Sequence, residues 1–101
     1  MKTTEGNSNV LFLYTLKELI DGCKKGDHKA QLQIYKIYYK SMYNISLSIV
    51  KNCEEAEDIM QESLLSALEK IENYSGTESF EAWLNKIVQN RSLDILRKRM
   101  K

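Results

Sequence analysis

No proline interrupts the 101 residues and only four are glycine, so helices can run long with few breakers. Within that continuity the apolar residues recur at helical spacing, and no strand-like alternation, heptad array or internal repeat appears. The expected fold class is therefore all-α, one compact four-helix bundle around a single core, since a chain this short does not fill two.

Capping signals divide the chain. Residues 1–13 are expected to be a flexible N-terminal tail, with the helical domain over 14–101. Thr15 with Glu18 three residues on forms a capping-box signature for a short helix to about Cys23. Gly26 reads as its stop and Asp27 as the next N-cap. The second helix, from about His28 to Lys51, has two apolar lines. Ala30, Ile34, Ile37, Tyr38 and Ile45 make one, and Leu32, Tyr35, Tyr39, Tyr43 and Val50 the other. A helix apolar on two sides lies between neighbours, which puts this one at the bundle centre. Asn52 with Glu55 caps a third helix over about 53–72. "NYSGTES", residues 73–79, is a turn by composition, and Thr77 or Ser79 caps a fourth helix from Phe80.

Net charge is only +1, but it is sorted along the chain: +4 over residues 1–53, −8 over 54–81 and +5 over 82–101. Sorted charge suggests two different kinds of contact, although solvated helix faces produce such blocks too. On the third helix Ile59, Met60, Leu64, Ala67, Leu68 and Ile71 form the core stripe. Opposite them stand Asp58, Gln61, Glu62 and Leu65, with Glu54, Glu69 and Glu72 beyond. Acids in the first turn are favoured by the helix dipole, but Glu62 and Glu69 lie past it, and like charges four apart cost about 0.2–0.5 kcal/mol. One reading is a solvated acidic face. The other is a docking patch for a basic partner, favoured by a leucine ringed by Asp, Gln and Glu.

On the fourth helix Phe80, Leu84, Ile87, Val88 and Ile95 face the core. Beside them run Trp83, Lys86, Asn90, Arg97 and Lys101, flanked by Arg91 and Lys98, with Asp94 placed to pair with either flanking cation. Cations neutralise phosphates, an amide can read base edges and an aromatic offers a stacking face, so this side suits nucleic acid. The bland alternative stays open: terminal Lys and Arg complement the helix dipole, and Trp83 belongs to the core. The 73–79 turn carries Tyr74, Gly76, Ser75, Thr77 and Ser79, groups able to receive an unstacked base.

The remaining residues offer little else. Cys23 and Cys53 lie thirty apart with no CxxC and a single histidine, His28; a disulfide or a metal site is open to them, but buried free thiols are the favoured reading. No phosphate-binding glycine loop or nucleophile–base arrangement is visible, so neither an enzyme nor a cofactor is expected. The longest apolar run, "VLFLY" at 10–14, is too short for a membrane span or a signal-peptide core, so a cytoplasmic protein without membrane insertion is expected.

The ordered set "AEDIMQESLLSALEKIENYSGTESFEAWLNKIVQNRSLDILRKR" resembles region 2 of RNA polymerase sigma factors of the sigma-70 family, specifically the extracytoplasmic-function type. The resemblance runs from about Leu16 to Arg99 and includes the "GDHKA" opening of the second helix. Its specific part is AEDI-x-QE followed by F-x-x-WL-x-x-I-x-x-N-x-x-x-D-x-x-R.

The resemblance implies a sigma region 2 bundle that binds core RNA polymerase and recognises and melts the −10 promoter element. Asp58, Gln61, Glu62 and Leu65 match the surface that docks on the basic clamp helices of the polymerase's largest subunit. Tyr74, Ser75, Thr77 and Ser79 match the loop that captures a base flipped from the non-template strand. Trp83, Lys86, Asn90, Arg91 and Arg97 match the helix laid against −10 DNA, while Phe80 and Asp94 look structural. An anti-sigma factor is a further implied partner. Two departures stand out. Housekeeping relatives carry adjacent tryptophans that help open the duplex, where this chain has Lys86 and Ile87. Asn85 and Gln89 replace residues that are often basic or aromatic, which weakens expected promoter contacts there. The family's C-terminal domain that reads the −35 element has no counterpart before Lys101, which is expected to mark an excised or incomplete chain. Two rival readings stand beside it: a sigma-like interaction module that binds polymerase or an anti-sigma factor without reading DNA, and a small helical DNA-binding regulator unrelated to polymerase.

Overall fold

A computed structural model of the chain describes residues 15–101. The expected 1–13 tail and the VLFLY run lie outside the described residues. Four α-helices follow in order: α1 (Leu16–Lys24), α2 (His28–Val50), α3 (Cys53–Glu69) and α4 (Phe80–Arg99), with a 3-10 turn at Ile71–Asn73. The described residues contain no strand.

Each helix begins where its cap dictates. The Thr15 hydroxyl accepts from the Glu18 amide at 3.1 Å while the Glu18 carboxylate accepts from the Thr15 amide at 2.9 Å, a complete capping box. Asp27 accepts from the Lys29 amide at 3.0 Å and Asn52 from that of Glu55 at 2.9 Å. Ser79, rather than Thr77, caps α4 by accepting from the Ala82 amide at 3.1 Å. α3 stops at Glu69, short of the expected 72, because its end tightens into the 3-10 turn that buries Ile71.

α2 packs against all three other helices, the central position its two apolar lines imply. The lines themselves need correction. Leu32 is 54 % exposed and Ile37 and Tyr39 are exposed as well, whereas Met42 and Ser46, on neither line, are fully buried. The neighbouring helices cover the line Ala30, Ile34, Met42, Ser46 and Val50 at four-residue spacing, and Leu32, Ile37 and Tyr39 lie off it. Close approach is set by small residues. A Cβ on Gly22 would lie 2.9 Å from the Ala30 Cβ, so only glycine lets α1 lean this near to α2. Between α2 and α4 the buried Ser46 and Ser92 hydroxyls bond each other at 2.9 Å, and the Ser92 hydroxyl also bonds the Val88 carbonyl at 2.7 Å.

The α3 core stripe lies inside as the spacing requires, with Leu68 half-buried. Phe80, Leu84 and Val88 of α4 are buried, Ile87 and Ile95 half-buried. Cys23 is buried, but Cys53 is exposed, contrary to the expectation of two buried thiols. Cys53 opens α3, where the helix has no preceding turn to cover it. Near the chain's end Arg99 donates to the Val50 carbonyl at 3.2 Å and pairs with Glu55, tying the tip of α4 to the junction of α2 and α3. At that junction Lys51 closes α2 in the left-handed region, φ 59°.

Candidate nucleic-acid and protein interfaces

The acidic set occupies the outer face of α3. Asp58, Gln61, Glu62 and Leu65 fall at successive helical-neighbour positions and all are exposed, Leu65 by 57 %. Burial of Ala56, Ile59, Met60, Ser63 and Leu64 on the opposite side fixes this orientation. The face thus combines carboxylates, an amide and an uncovered aliphatic side chain, a composition that accepts a basic, partly apolar surface.

α4 presents its polar side next to that face. A groove of about 730 Å³ runs between the two helices, with Trp83, Asn90, Arg91 and Lys98 of α4 facing Glu62 and Ser66 of α3 and Lys70 and Asn73 just beyond it. Within it Arg91 pairs with Glu62 at 3.3 Å. Asp94 pairs instead with Arg97 at 3.2 Å, not with Arg91 or Lys98 as the spacing suggests. The reason is tertiary: α3 stands close enough to supply Arg91 with an acid from outside its own helix. Lys86 and Arg97 are exposed outside this groove.

The 74–79 loop is fixed by aromatics. The Tyr74 ring packs edge-on to buried Phe80, centroids 5.2 Å apart, and tilted against half-buried Trp83 at 5.3 Å. Tyr38 of α2 closes the cluster from below, 5.6 Å from Phe80. Burial, with a smaller contribution from Glu81, pushes the Tyr38 phenol above its usual range and keeps it neutral. The Tyr74 hydroxyl donates to the Glu78 carbonyl at 2.6 Å. Tyr74 therefore braces the loop with both its ring and its hydroxyl. Ser79 is likewise engaged, as the cap of α4. The groups left at the loop tip are Ser75 and Thr77, whose hydroxyls lie 3.1 Å apart, and Gly76, whose φ of 89° makes the turn.

Among the sequence-selected residues, the structure brings together Glu62 with Arg91, and Tyr74 with Trp83. It does not bring Asp58 or Leu65 into the α3–α4 groove. Lys70 and Asn73, which the sequence did not single out as site residues, also line the groove. No group of three or more His, Cys, Asp or Glu side chains among the described residues could hold a metal ion. None of the described helices is long and apolar enough to cross a membrane.

The family described as Sigma-70 region 2 matches residues 34–101. The chain is 34 % identical over 84 residues to "ECF RNA polymerase sigma factor SigW" of Bacillus subtilis, covering 83 % of this chain and 45 % of that relative. To "RNA polymerase sigma factor SigV" of the same organism it is 37 % identical over 62 residues, 61 % of this chain and 37 % of the relative. To its "ECF RNA polymerase sigma factor SigM" it is 32 % identical over 69 residues, 68 % and 42 % respectively. The chain thus spans less than half the length of these relatives. Matching through more than half its own length, with a helical bundle and no strand among the described residues, the chain belongs to the sigma-70 region 2 family, in its extracytoplasmic-function branch.

Proposed function

We propose that this domain is a non-enzymatic specificity factor for bacterial transcription initiation, working in the cytoplasm. The exposed face Asp58–Gln61–Glu62–Leu65 docks on the basic clamp helices of the largest subunit of core RNA polymerase. The polar side of α4, with Trp83, Lys86, Asn90, Arg91 and Arg97, holds −10 promoter DNA. Ser75 and Thr77 on the loop braced by Tyr74 and Ser79 then receive a base extruded from the non-template strand. Unstacking a base costs a few kcal/mol, so loop contacts of similar size decide which sequences open. The observation that carries this reading is the division of exposed charge between adjacent helices: an acidic, leucine-centred face on α3 and a basic, aromatic flank on α4.

Two measurements test it. Core polymerase should retain the wild-type domain and lose the Gln61→Ala/Glu62→Lys variant; equal retention removes the docking claim. The domain should prefer a single-stranded −10-like oligonucleotide over a scrambled one; no preference removes the loop's role. A second reading is favoured by one observation, the internal engagement of Tyr74 and half-burial of Trp83. On that reading the domain binds polymerase or an anti-sigma factor without reading DNA, and polymerase retention would come with no oligonucleotide binding.

A further inference from the structure

A second groove, of about 430 Å³, lies on the other side of the loop, where Tyr74, Ser75 and Gly76 face Leu16, Ile20 and Lys24 of α1, with Lys17 and Asp21 at its edge. From this juxtaposition we infer that α1 forms the far wall of a single-stranded nucleotide site, with Leu16 and Ile20 under the base and Lys24 on a backbone phosphate. The inference rests on the proposed reading that the loop receives an unpaired base, and adds the side on which that base sits.

A nucleotide presents a flat face, a hydrogen-bonding edge and a phosphate, and the groove offers a counterpart to each. Leu16, 37 % exposed at the mouth, and buried Ile20 supply apolar floor beside the Tyr74 ring. The Ser75 hydroxyl supplies a hydrogen-bonding group. A Cβ on Gly76 would meet nothing within 4 Å, so the backbone there is open to close approach. Charge completes the fit. Lys17 pairs with Asp21 at 3.3 Å, so those two charges are matched. Lys24 pairs with no acid among the described residues, leaving the groove one net positive charge suited to one phosphate. Lys24 also lies in the last turn of α1, where any lysine complements the helix dipole. That role would affect the melting temperature alone, whereas a phosphate contact affects the salt dependence of binding.

The test is a salt titration of oligonucleotide binding by the full chain, using −10-like and scrambled single strands. Each phosphate neutralised on a single strand contributes about 0.7 to the slope of log K against log salt. Lys24→Gln should lower the slope by about 0.7 on both oligonucleotides, and Lys25→Gln, whose side chain is not in the groove, should leave it unchanged. An unchanged slope for Lys24→Gln, or equal drops for both variants, overturns the inference. Base placement is tested with Leu16→Ala, which should weaken the −10-like strand by about threefold and have no effect once the captured base is replaced by an abasic sugar. An equal effect on the abasic strand overturns the placement. Loss of preference for the −10-like strand by the wild type would instead defeat the loop reading, while the slope test, being independent of sequence, still decides whether Lys24 meets a phosphate.

Discussion

Removing the charge of Glu62 should make the free domain bind DNA more tightly, and the gain should depend on Arg91. The two side chains meet at 3.3 Å across the α3–α4 groove, with Glu62 66 % and Arg91 38 % exposed. Unit charges at that distance interact by about 1 kcal/mol in water, and measured exposed pairs fall at about 0.2–1 kcal/mol. Arg91 is therefore held away from a phosphate by at most about 1 kcal/mol, a factor of about five in affinity. Glu62→Gln should raise affinity for a labelled single-stranded −10-like oligonucleotide by up to about fivefold at low salt, read by fluorescence anisotropy. Asp58→Asn removes the same charge from the same helix, but the Asp58 carboxylate pairs with no cation among the described residues. It therefore measures the general electrostatic gain. In an Arg91→Ala background, the Glu62→Gln gain should shrink to the Asp58→Asn gain. If Glu62→Gln and Asp58→Asn give the same gain in the wild type, or the full Glu62 gain survives without Arg91, the pair restrains nothing. A basic partner seated on Glu62 would act as the substitution does, coupling polymerase docking to DNA binding by no more than this amount.

Four further outcomes follow from the packing and the thiols. Ser92→Ala should strand the Ser46 hydroxyl and cost about 1–3 kcal/mol in urea unfolding, with most of the loss regained in the Ser46→Ala/Ser92→Ala double variant. Gly22→Ala should cost about 1–3 kcal/mol in the same assay, since its methyl would meet Ala30 at 2.9 Å and force α1 off α2. A thiol reagent should modify exposed Cys53 in the folded protein and reach buried Cys23 only on unfolding. Burial, aided by the Asp27 charge, raises the Cys23 thiol above its usual 9.0. Its contribution to stability is therefore complete below pH 9.0 and is lost as pH rises beyond it, because the unfolded chain releases that proton first.

The features legible in the sequence are those that act within a turn or two. Thr15 with Glu18, Asp27 and Asn52 each cap the helix they precede, because a cap needs only its own next three residues. The α3 stripe is correct because one periodic face meets one core. What escaped depends on contacts across the chain. Ser46, Ser63 and Ser92 are polar on any hydropathy scale, yet all three are buried where a larger side chain would hold the helices apart. The Arg91–Glu62 pair joins residues 29 apart, and Asp94 lost Arg91 to it. Leu32, Ile37 and Tyr39 carry helical periodicity but stay exposed, because they lie off the line of α2 that its neighbours cover. In the candidate site, exposure of the α3 acids followed from their own helix, whereas the bracing role of Tyr74 required knowing that Phe80 and Trp83 turn back onto it.

The aromatic cluster bears directly on how the proposed function works. Tyr38 of α2, Tyr74 of the loop and Phe80 and Trp83 of α4 touch in one continuous set, so loop and α4 are fixed to each other and to the central helix. The α3 face is anchored to that same helix through its buried stripe and packs directly against α4, with the Ile71–Asn73 turn and the braced loop as the chain between them. The proposed docking face, DNA-facing helix and base-receiving loop, mounted on one core, have a fixed relative register, set by packing rather than by the ligands. Little ordering free energy is then lost when DNA binds, and contacts by Ser75, Thr77 and their neighbours can be applied to the few kcal/mol of unstacking. Loosening the cluster, by contrast, would leave every contacting side chain present and still blunt sequence choice, because the loop would have to be ordered anew for each base it held.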